Sequence, residues 1–272
     1  MVRNITFDFD MSYHTRFWFS KMISMKFLRH LKKRFETKQI HPNIPYNIAS
    51  IRERACKGYV LDQVLWGKIL LDSIYMTPDP KTAFTWFEVA ASSGYGPGHN
   101  MVGRCFHFGW GCEQNFLRAA NSYAKAMNCG DTWGTYNLGI LHMRGLGLPT
   151  NLAYALALFR DAAEKGHAKS MNLLARFIEE GWETERNPDA ALYWYLRSAQ
   201  GGDYRGQHNY ATILVNKGEI EQALVWWRRA LLTATSDILI AMHSQIKNLG
   251  KNGDISLLND IEKRLHSLNI NI

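Results

Sequence analysis

Cysteine is scarce in this chain. Four occur, Cys56, Cys105, Cys112 and Cys129; they fall at no regular interval and none forms a CxxC. That argues against a disulfide-stapled secreted framework and for reduced thiols in a cytoplasmic protein. Long apolar runs are absent too. No stretch reaches bilayer length, and charges interrupt every apolar run before Met25, so neither a membrane span nor a signal peptide is legible. The chain has no HExxH, no Gly-rich phosphate loop, no nucleophile elbow and no carboxylate pair set against an activatable group. His99 and His107 share a helix but stand eight apart, without a Cys or carboxylate at ligand spacing. A non-enzymatic protein with no metal and no cofactor is therefore expected.

Apolar packing material, by contrast, is plentiful. Hydrophobic residues make up 46% of the 272 and aromatic ones 12%, which excludes disorder for most of the chain. The net charge of +8 points to nucleic acid until the charges are mapped. Arg16, Lys21, Lys26, Arg29, Lys32, Lys33, Arg34 and Lys38 crowd into one segment, opposed only by Glu36. The remainder is close to balanced, so nucleic acid is disfavoured as a partner. Within that arm Phe17, Trp18, Phe19, Met22, Phe27 and Leu31 interleave with the cations. Such a pattern suits an interfacial helix on an anionic membrane surface through residues 16–38. A helix docked on the following structure is the other reading, as is a natural start at Met25.

The organising feature is a period. Asp62, Gly98, Gly134, Ser170 and Gly206 each lie thirty-six residues after the last. Four residues beyond each comes a bulky apolar or aromatic side chain (Trp66, Val102, Leu138, Leu174, Tyr210), and then Gly or Ala (Gly67, Gly103, Gly139, Ala175, Ala211). Such self-similarity marks a stack of helix pairs in which each unit buries its apolar face against its neighbours.

The third unit, Gly134 to Gly166, is the clearest. Leu138, Leu141 and His142 fall at helical spacing, Gly139 admits a partner helix, and Gly145 and Gly147 stop the first helix. Thr150 or Asn151 can cap a second helix that carries Ala155, Leu158, Phe159 and Ala162. First-helix apolar and second-helix bulky positions lie twenty apart in four units. In the fifth the distance falls to sixteen, because the inter-helix loop shrinks to Lys217–Gly218.

The Gly-x-Gly loops (Gly109–Gly111, Gly145–Gly147), the Ala-rich second helix with its aromatic pair, and the Glu-Lys-Gly-His-Ala junction at 164–168 resemble Sel-one-like repeats of the bacterial type. These are relatives of tetratricopeptide repeats. Departures are Ser73 in place of a loop Gly, and Gly181-Trp182-Glu183, which lacks the second loop Gly. The expected fold is all-α, a right-handed α–α superhelix (solenoid) of about five helix pairs with helical caps. Its segments are a basic aromatic arm over 1–40, a capping helix over 41–57, the repeats over 58–232, and capping helices over 233–272.

Positions three and seven of each first helix stack on one stripe, away from the partner helix. In tetratricopeptide-like stacks that stripe lines a concave groove. It carries the pair Asn100 and Arg104, repeated as Asn172 and Arg176, with Lys68, Tyr136, Asn137, Arg144 and His208 at equivalent or neighbouring places. Asn both donates to and accepts from a peptide backbone, and Arg offers a bidentate fork to a carboxylate. The reading is a scaffold or adaptor that binds an acid-bearing peptide or protein. The alternatives are a solvated polar stripe without a ligand, a hydrolase acting on cell-wall material, and peripheral attachment to the inner face of the membrane.

Overall fold

The computed structural model describes residues 46–72 and 74–270. The basic arm, its membrane reading over 16–38 and the departure at Ser73 lie outside the described residues. The described chain contains thirteen α-helices and no strand. In order they are α1 (Tyr46–Cys56), α2 (Val60–Leu71), α3 (Pro80–Ser92), α4 (Gly96–Phe108), α5 (Phe116–Asn128), α6 (Thr132–Arg144) and α7 (Leu152–Glu164). They continue as α8 (Ala168–Glu180), α9 (Pro188–Gln200), α10 (Tyr204–Asn216), α11 (Ile220–Leu231), α12 (Ser236–Asn248) and α13 (Ile255–Ser267). No helix among the described residues is long and apolar enough to cross a membrane.

The chain divides into two compact units, one ending at Gly134 and the other beginning at Thr135. In the first, α1 through α5 pack each on the next, and α2 also touches α4. In the second, α7 through α11 pack consecutively, α12 packs on α13, and α10 touches both α8 and α12. First helices of successive repeats are thus neighbours, as a stack of helix pairs requires.

Two close approaches recur along the repeats. At the first, a ring from the second helix lies against a glycine of the first. A Cβ on Gly67, Gly103 or Gly139 would come within 2.4, 2.5 and 2.6 Å of Phe87, Tyr123 and Phe159 respectively. All three rings are fully buried, each contributing about 1.5–3 kcal/mol of transfer free energy. At the second, the start of a first helix presses on the preceding second helix. A Cβ on Gly98 would stand 2.6 Å from the Ala91 nitrogen, and one on Gly206 2.2 Å from Ser198 Oγ. Asp62 fills this place in the first repeat and pairs with Arg54 on α1 at 2.8 Å.

Capping follows the same period. Asp79, Asn115, Asn151 and Asn187 accept the backbone N–H three residues on, which starts α3, α5, α7 and α9. Asp131, His167 and Asp203 do the same with Gly134, Ser170 and Gly206. These side chains satisfy donors the first helical turn leaves open. His167 therefore has a structural task, and burial pushes its pKa down to about 4.

The loop without its second glycine pays in backbone geometry. Glu183 has φ +53°, in register with Gly111 at +73° and Gly147 at +68°. The turn is kept although the residue is an L-amino acid with a side chain. At the far end, Leu239, Met242 and Ile246 of α12 bury against Leu257, Ile261 and Leu265 of α13, in one cluster with Trp227 and Ala211.

Candidate functional site

In the second unit, the first helices α6, α8 and α10 together with α12 wall a cavity of about 470 Å³. Four residues expected from the sequence line it: Tyr136 and Arg144 from α6, and Asn172 and Arg176 from α8. Arg176 lies 5.2 Å from the Trp182 ring centre, so the loop after α8 holds the guanidinium. Neither Arg144 nor Arg176 forms an ion pair among the described residues. The other charges are engaged. Arg205 pairs with Asp237 at 3.4 Å, Tyr195 donates its hydroxyl proton to Glu179 at 2.6 Å, and Asp203 caps α10. Burial, reinforced by the nearby Asp203 carboxylate, raises the Tyr136 pKa and keeps its phenol protonated.

Asn172 differs from expectation in one respect. Its side chain is buried, at 5% exposure, and its Oδ1 receives Asn209 Nδ2 from the next first helix at 2.9 Å. The amide is partly spent on fastening α8 to α10, and its Nδ2 is the group left for a ligand.

His208 is a correction. It was expected in the groove and is instead a core residue, 7% exposed and no part of the cavity wall. Trp227 Nε1 donates to His208 Nδ1 at 3.2 Å. The indole N–H is fully buried and needs an acceptor, and position three of this repeat supplies it. Burial then lowers the His208 pKa to about 4. Asn137 is half-buried beside Tyr136 and does not line the cavity.

In the first unit, Lys68 is exposed and Asn100 is buried. Arg104 is half-buried, 4.9 Å from the Trp110 ring centre. The Arg–Trp arrangement of the fourth repeat is thus repeated in the second.

The sequence stripe missed part of the wall. Ile140, Met143 and Leu173 give it an apolar side, and Lys169, Arg205 and Asn209 extend it toward the helix starts. Ile140 occupies position seven of its repeat, where it adds apolar wall instead of a polar group.

The Sel1 repeat pattern matches residues 62–95, 97–131, 134–167 and 168–203. The chain belongs to the Sel1 repeat family. Among proteins with Sel1 repeats of known structure, one from Oxalobacter formigenes superimposes with a TM-score of 0.67 at 20% identity, covering 78% of this chain and 89% of that one. The protective antigen c5321 of uropathogenic Escherichia coli gives 0.58 at 21% identity, over 81% and 49% of the two chains. These likenesses establish the helix-pair solenoid fold. In sequence, the chain is 30% identical over 162 residues to chitin synthase regulatory factor 3 of Schizosaccharomyces pombe, covering 55% of this chain and 17% of that protein. It is 29% identical over 98 residues to the ERAD-associated E3 ubiquitin-protein ligase component HRD3B of Arabidopsis thaliana, covering 36% and 16%. The chain spans less than a fifth of the length of these curated relatives. The shortened fifth pair, α10 and α11, follows the matched residues and packs helix on helix, with Trp227 buried in one cluster with Ala211.

Proposed function

We propose that this Sel1 repeat protein is a non-catalytic cytoplasmic scaffold or adaptor that captures an acid-bearing peptide or protein segment in the α6–α8–α10–α12 cavity. The observation that carries the reading is the convergence of Arg144 and Arg176, neither in an ion pair among the described residues, on one hollow with an apolar side. A partner carboxylate would meet two guanidinium forks, and its aliphatic neighbours would cover Ile140 and Leu173. The names of two relatives, a regulatory factor and a ligase component, suit a protein that acts by holding others. Position seven reads Lys68, Arg104, Ile140, Arg176 and Thr212 along the repeats. Cations are not kept in every unit, which disfavours a base-per-repeat nucleic-acid reader.

The test replaces Arg144 and Arg176 together by Ala. A photo-crosslinking residue at Leu173 captures the partner from native lysate, and the affinity of the identified segment is then measured for parent and variant. The expected result is loss of capture with helicity and melting nearly unchanged. Capture at parental affinity by the double variant overturns the reading.

A further inference from the structure

The first unit has a hollow of its own, walled by none of the groove residues. Helices α3, α4 and α5 line an open cavity of about 400 Å³. Glu88 comes from α3, His99 from α4, and Arg118, Asn121 and Lys125 from α5. None of these five side chains makes a hydrogen bond or ion pair with another described residue. Only Arg118 is fixed, its guanidinium carbon 4.0 Å from the Phe106 ring centre. Stacking of that kind leaves the N–H fork free at its edge. Three groups able to carry positive charge therefore share one hollow, and among the described residues of its wall Glu88 is the one acid. Two hydroxyls in the wall are already engaged: Ser92 donates to the Val89 carbonyl and Ser122 to that of Arg118.

We propose that this cavity is a binding site for a phosphate-type oxyanion, either inorganic phosphate or a phosphate monoester. The Arg118 fork, the Lys125 ammonium and the Asn121 amide are its donors, and His99 lies at its edge. A tetrahedral dianion has enough lone pairs to meet a fork, an ammonium and an amide arriving from different directions. A carboxylate is planar and singly charged, and leaves part of that donor set unmet. Partial burial, and then the Lys125 ammonium, lower the His99 pKa. The charged groups facing the imidazole are Glu88 of α3 and Arg118 and Lys125 of α5. A bound anion favours imidazolium, so His99 reports occupancy directly.

The experiment follows the His99 ring proton by NMR in the full chain, with the signal assigned by its loss in His99→Gln. Titrations are run without ligand, with inorganic phosphate and with O-phosphoserine. Occupancy raises the His99 pKa. A response to both ligands marks a site for the phosphate group itself; a response to O-phosphoserine alone marks one for the ester. Two variants that preserve shape separate binding from folding. Lys125→Gln is expected to weaken the anion about fivefold, and Glu88→Gln to strengthen it by a similar factor. An unmoved His99 pKa with both ligands overturns the proposal. So does parental affinity in both variants.

Discussion

The guanidinium carbon of Arg176 stands 5.2 Å from the centre of the Trp182 ring, and Arg104 stands 4.9 Å from that of Trp110. The two pairs lie two repeats apart and are built alike. In each, an Arg on the third turn of a first helix meets a Trp from the loop that ends it. The indole face attracts the cation and narrows the rotamers of a long side chain before any ligand arrives. Trp182→Ala should therefore cost the acid-bearing partner about 0.5–1 kcal/mol of binding, without changing the charge of the groove. Calorimetric titration of the crosslinked segment measures it. Equal affinity would show that the indole only fills its loop.

Glu183 holds a left-handed backbone at φ +53°, where two other repeats place glycine. An L-residue there costs roughly 1–2 kcal/mol, while glycine would return about half of that through the looser unfolded chain. Glu183→Gly should stabilise the fold by about 0.5 kcal/mol. Glu183→Val, with its branched Cβ, should destabilise it by more than about 1 kcal/mol. Denaturant midpoints of the two variants should thus move in opposite directions.

A Cβ on Gly139 would stand 2.6 Å from Phe159 Cε1, well inside contact distance. Helix propensity alone favours alanine by about 1 kcal/mol, but overpacking costs about 1–3 kcal/mol. Gly139→Ala should come out destabilising, and Gly139→Leu far more so. Because the clash is with one ring, Phe159→Leu should make the alanine nearly neutral. A double-mutant cycle without coupling between the two positions would sink this account.

His167 and His208 are held near pKa 4 by burial, against an ordinary value of 6.5. The folded form binds these protons more weakly than the unfolded chain does. Stability is therefore complete above pH 6.5 and declines as pH falls toward 4. The loss is at most about 3 kcal/mol for each residue. His208→Asn keeps an acceptor for the Trp227 indole N–H and removes the titration. The slope of unfolding free energy between those pH values should flatten accordingly. An unchanged slope would place the proton uptake elsewhere.

Much of the fold was legible because its determinants are local and repeated. A glycine twenty residues before a ring in three repeats and an Asx residue before the second helix in four act at short range, so the period exposes them. Loop shortening between α10 and α11 was equally visible, since it changes a spacing. The candidate site was only half legible. The stripe rule found Tyr136, Arg144, Asn172 and Arg176 because i and i+4 share a helix face wherever the helix lies. It could not find Arg205 or Asn209, which join the wall from the next first helix.

Sequence alone determined that helices pair, where each begins and stops, and which residue types recur on a face. Tertiary packing decided how far each helix rotates about its own axis, because neighbouring side chains set that angle and periodicity does not. That rotation leaves Arg144 and Arg176 facing one hollow, neither in an ion pair among the described residues. It turns His208, at the same repeat position as Asn172, inward to satisfy a buried indole.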